Sequence, residues 1–195
     1  MRPTLLGSLF LSALGLLASA RSSSAFPETS AGLRLLGPYA SRQHESLNDA
    51  QIATVVLTAY QIDIDRSRRA VRLATHADVR RLADATLTAH ANGKQVVLAL
   101  VSRLQLFPQD SQVMRRLGMD AARADLALQK LQGVAFDRAY VDAELSFQQA
   151  WIGAVGHALL PRVRSGALRQ ALVDNTTMLQ PDFEEKRGVG GTCAQ

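Results

Sequence analysis

Apolar side chains recur at three- and four-residue spacing from about Asp49 to Leu179, which confines this chain to packed amphipathic helices. The first helix is expected over Asp49–Thr75, with a stripe of Ile52, Val56, Leu57, Tyr60, Ile64, Val71 and Ala74 flanked by Asp63. Gln61-Ile62-Asp63-Ile64-Asp65 alternates like a strand, but it lies inside this longer helical period. A second helix runs from about Ala77 to Leu106 and stops at Phe107-Pro108, where proline cannot continue it. Its shared face carries Leu82, Ala83, Leu87, His90, Val97, Val101 and Leu104. The link at His76 is short enough to force the two helices antiparallel. Gly93, inside the second helix, marks a place of close packing.

Asp110 and Ser111 cap a short helix to Leu117, broken at Gly118, and a third helix spans Asp120–Gln132 with Gly133 as its C-cap. The fourth covers Phe136–Leu160, with Val141, Leu145, Gln148, Ile152, Val155 and Leu159 on one face. The fifth begins near Ser165, carries Leu168, Leu172, Leu179 and Phe183, and is expected to bend or break at Pro181. Together these elements predict an all-α fold, an antiparallel four-helix bundle with an extra short helix, over residues 47–187. Gly-rich residues 188–195 read as a flexible tail.

The N-terminus is a separate object. Arg2, the apolar run Leu5–Leu17 and Ala18-Ser19-Ala20 make the three parts of a secretory signal peptide over residues 1–20, cleaved after 20 or 25. Residues 21–46, rich in Ser, Gly and Pro, form an irregular arm. The chain is therefore expected to be exported to the periplasm or cell envelope, and no later apolar run is long enough for a transmembrane segment. Cys193 is the single cysteine, so neither an internal disulfide nor a thiolate cluster can form within one chain.

A net charge of +5, mostly arginine, raises the question of an anionic partner such as an envelope surface. Arg66, Arg68, Arg69 and Arg72 cluster on helix one, but Asp63 and Asp65 are interleaved with them at helical spacing. That is the pattern of a solvated face, and it is preferred. Nucleic acid is excluded by export and by the lack of an aromatic-basic groove.

His90 and Gln148 break otherwise apolar stripes. A buried polar group costs about 1–3 kcal/mol unless it is paired, so each needs a partner. Asp63, His90, Gln148 and either Asn175 or Thr176 fall at levels where they can form one polar layer that fixes helix register. No phosphate-binding glycine loop, GxSxG elbow, HExxH motif or inward Glu-x-x-His pair occurs. Among the four histidines, His44, His76 and His157 are poorly placed to join His90 in a metal shell.

These residues resemble a bacterial family of exported proteins, domain of unknown function 4142, over roughly residues 48–187. The resemblance rests on Leu47-Asn48-Asp49-Ala50-Gln51-Ile52, Asp63-Ile64-Asp65, Asp78-Val79-Arg80-Arg81-Leu82-Ala83, His90 and Pro181. Its most specific stretch is Gly133-Val134-Ala135-Phe136-Asp137-Arg138-Ala139-Tyr140-Val141-Asp142. It implies a ferritin-like bundle but no reaction, because the family has no established activity. Ala89, Gln148 and Lys186 stand where the family pattern has Asp, His and His. The expected function is an exported, non-enzymatic helical-bundle protein with a binding or structural role, no cofactor and an unknown partner. The alternative is a ferritin-like metal-binding or redox protein with a degraded site, Asp63, His90 and Glu144 being the candidate metal ligands.

Overall fold

Each of the first three helices starts where a side chain can take up the free amides of its first turn. In the computed structural model, which describes residues 46–192, Asn48 and Gln51 form a reciprocal capping box. It opens α1, Asp49–Leu73. The imidazole of His76 accepts from Asp78 N at the start of α2, Ala77–Arg103, and Ser111 Oγ accepts from Met114 N at the start of α3, Gln112–Leu128. α4 spans Gly133–Ala154 and runs into one π-helical turn, Val155–Leu159, before Pro161; α5 spans Gly166–Thr192. The described residues are all helix and links, an all-α helical bundle.

Side-chain clamps between the ends set the direction of each helix. Asp137, fully buried near the start of α4, accepts from Thr75 N, Thr75 Oγ1 and His76 N at the end of α1. Asp49 at the start of α1 accepts from Arg164 N and Ser165 N, both at 2.8 Å, just before α5. Asn48 and Gln51 donate to Gln109 Oε1 and the Asp110 carbonyl, which fixes the α2–α3 link at the same end. The helices therefore alternate in direction. α1 packs most extensively on α2, α4 on α5, and α3 lies against α1 and α4.

Three expectations are corrected. Gly118 does not divide the third region: α3 is continuous, with Leu117, Ala121 and Leu128 buried on one side of it. Its C-cap is Gln129, and Gly133, at a left-handed φ of +58°, instead opens α4. α5 is not interrupted at Pro181 and continues through Gly188 to Thr192, into the stretch read as a flexible tail. Lys186 is buried there and half-buried Val189 packs against the core, so tertiary packing outweighs the low helix propensity of the glycines at that end. The proposed signal peptide, the arm up to residue 45 and Cys193 lie outside the described residues.

The core has two apolar parts. One joins Ile52, Val56, Phe147, Trp151, Leu168 and Leu172 toward the end where α1 begins. The other joins Ala70, Val79, Leu82, Phe136, Tyr140 and Val141 toward the opposite end. Between them lie Asp63, Arg66, Ser67, Thr86, His90, Glu144, Gln148 and Lys186, all buried.

Candidate functional site

This middle layer is built one turn at a time. On α1, Asp63, Arg66, Ser67 and Ala70 follow one another at three- and four-residue spacing on the buried face. Arg66 therefore does not belong to the solvated arginine face on which the sequence reading placed it, being only 4% exposed. Arg68 does belong there, paired with Asp65 at 2.9 Å, and Arg81 pairs with Asp78 on α2 in the same way. On α4 the buried face is Phe136, Asp137, Tyr140, Val141, Glu144, Phe147, Gln148 and Trp151. That face is turned by about one residue from the expected stripe, leaving Leu145 and Ile152 half-buried and bringing Glu144 inside.

Glu144 is the hub. One oxygen lies 3.4 Å from Arg66 Nη1 and the other 3.5 Å from Lys186 Nζ, while Arg66 Nε donates to Asp125 Oδ1 at 3.1 Å. The Arg66 guanidinium also sits 5.5 Å from the centre of the Phe147 ring. Lys186, 1% exposed, donates to Gln148 Oε1 at 3.0 Å, and Gln148 Nε2 donates to the Leu179 carbonyl. Both ends of the Gln148 amide are thus used.

The His90 side is looser. His90 Nδ1 lies 3.0 Å from Asp63 Oδ2, yet the N–H is poorly aligned for a hydrogen bond, and Asp63 Oδ1 has only Arg66 Nη1 at 3.9 Å. Tyr60 meets the imidazole edge-on at 5.7 Å between ring centres. The Tyr60 hydroxyl accepts from Asn175 Nδ2 at 2.7 Å, and Asn175 Oδ1 accepts from Trp151 Nε1 at 2.9 Å. Gly93 leaves room for the Tyr60 ring, because a Cβ there would lie 2.7 Å from its hydroxyl oxygen. Tyr60, Asp63, His90, Gln148, Trp151 and Asn175 surround a cavity of about 20 Å³, enough for one water molecule. The structure thus brings Asp63, His90, Gln148 and Asn175 to one small space. Thr176 is not part of it, since its hydroxyl bonds back to the Leu172 and Val173 carbonyls.

The charges explain the titration behaviour. Three carboxylates, Asp63, Glu144 and Asp125, face two fixed cations, Arg66 and Lys186, and one imidazole. Burial works against a charge on His90, but Asp63 and then Glu144 outweigh it and hold its pKa above the ordinary value. Burial also disfavours the Arg66 charge, again offset by Glu144, Asp63 and Asp125, so that its pKa is raised. The Glu144 carboxyl is raised by burial first and by Asp63 second, against the pull of Lys186 and Arg66. Burial likewise raises the Tyr140 hydroxyl, which shares a 3.2 Å hydrogen bond with Ser67 Oγ.

A metal does not fit this donor set. Ligation needs free lone pairs converging on one point, yet the two Glu144 oxygens face different cations, and Gln148 Oε1 accepts from an ammonium. Among the described residues no three His, Cys, Asp or Glu side chains are grouped to hold a metal ion. Of the other histidines, His76 caps α2 and His157 is exposed. Arg66, Lys186, Ser67 and Tyr140 were not foreseen as members of the layer. The available signal for Arg66 and Ser67 is their three- and four-residue spacing from Asp63.

The model for the domain of unknown function DUF4142 matches residues 37–187, starting within the stretch read as an arm. No curated protein and no solved structure matches the chain. With most of its length covered by that one match, the chain belongs to the DUF4142 family.

Proposed function

We propose that this chain is an exported, non-enzymatic helical-bundle protein of the bacterial envelope, with a binding or structural role, whose polar centre is closed by its own charges. The observation that carries this reading is Lys186, whose ammonium is fully buried between Glu144 and Gln148. A substrate or metal arriving at the centre would have to displace an ammonium held by a carboxylate and an amide. The adjoining cavity has room for a water molecule and not for an organic substrate. Export is supported by the three-part pattern of residues 1–20. Elemental analysis of the processed protein, purified without chelator or His tag, tests the reading. Substoichiometric metal and an unfolding midpoint indifferent to chelator are expected. Stoichiometric metal that is lost in His90→Ala would instead establish the metal-binding reading, with Asp63, His90 and Glu144 as ligands.

A further inference from the structure

A second concave site lies on the outer side of the bundle, between α1 and α3, and it does not depend on how the ionic layer is read. The cleft is about 210 Å³, with Arg66, Arg69 and Arg72 along the α1 side, at successive turns of one helix. Gln129 lies across from them, and the core residues Leu128 and Phe136, 3% and 1% exposed, close the floor. Two carboxylates also line it, but both are committed elsewhere. Asp125 accepts from Arg66 Nε, and Asp65 accepts from Arg68 Nη1 and Gln61 Nε2. Arg66 itself turns inward to Glu144. Neither Arg69 nor Arg72 has a carboxylate within ion-pairing distance among the described residues, and Arg69 Nε is buried without an acceptor.

Two guanidinium groups on adjacent turns repel one another, and each presents planar N–H pairs suited to an oxyanion. Internal pairing has been arranged for Arg66 and Arg68 but not for these two. We propose that the α1–α3 cleft binds a small oxyanion, a phosphate-like group held on Arg69 and Arg72.

Calorimetric titration of the purified protein with phenyl phosphate tests this, with inorganic phosphate as the smaller probe. The expected result is saturable binding of both probes with a Kd on the order of 0.1–1 mM. The Arg69→Gln/Arg72→Gln double variant should lose about tenfold or more in affinity through the lost charge-assisted pairs. The control removes as much charge elsewhere: Arg81→Gln/Arg123→Gln, both exposed and paired with Asp78 and Asp120, should bind like the parent. Absence of saturable binding in the parent, or equal loss in both double variants, would overturn the site. Thermal unfolding of each variant identifies a folding defect, and Arg69→Lys/Arg72→Lys, which keeps the charge, should then show the same loss in weaker form. Parent-like binding by that variant would overturn the proposed planar recognition.

Discussion

The two halves of the buried ionic layer are built to different standards. Around Glu144, each carboxylate oxygen faces a cation and each end of the Gln148 amide has a partner. Around His90, Asp63 Oδ1 and His90 Nδ1, beside a water-sized cavity, and Thr86 Oγ1, one turn away on α2, are buried without a hydrogen bond. The first half ties α1, α4 and the far end of α5 together, and little can change there without leaving a charge stranded. The second half joins α1 to α2 with slack, and this is where protonation can act.

Disruption of the Glu144 side should have the largest effect. Lys186→Met keeps the length and removes the ammonium, leaving Glu144 with Arg66 alone; a loss of about 3–5 kcal/mol is expected from urea unfolding. On the other side, Gly93→Ala forces a methyl group against the Tyr60 ring, whose hydroxyl is held by Asn175. Overpacking of about 1–3 kcal/mol, less about 1 kcal/mol for the better helix propensity of alanine, gives a net loss of up to about 2 kcal/mol. A loss as large as that of Lys186→Met would erase the distinction between the halves.

The smallest effect is that of pH. The folded pKa of His90 is raised, so its contribution is fully present below its ordinary value of 6.5 and fades as pH rises through the higher folded value. Glu144, also raised, acts in the same direction in a more acidic window above its ordinary 4.5. Stability should therefore decline from mildly acidic toward basic pH. His90→Ala should flatten the upper part of that decline while costing about 1–2 kcal/mol. An unchanged slope in His90→Ala would show that the imidazole does not carry it.

Much of the scaffold was legible because periodicity and punctuation report local preferences. The stripes of α1 and α2 and the stop before Pro108 follow from residues near one another in sequence. What escaped depended on partners distant in sequence. Arg66 reads as one more arginine on a charged helix until Glu144, 78 residues away, is placed beside it. Lys186 lies past Pro181 in a glycine-rich end whose order depends on docking, so local propensity pointed the wrong way. Asp137 looks like an ordinary surface acid, and only the fold shows it holding the α1–α2 link. On α4, the aromatic series Phe136, Tyr140, Phe147 and Trp151 marks the buried face better than the aliphatic stripe, and Glu144 lies on it.

The central claim is that the Lys186 ammonium is held in the bundle's polar centre by its pairing with Glu144, and a double-mutant cycle with Glu144→Gln tests it most directly. If the claim holds, Lys186→Met is strongly destabilising alone, and adding Glu144→Gln recovers part of the loss, with a coupling of about 1–3 kcal/mol. Strictly additive effects of the two substitutions would contradict it.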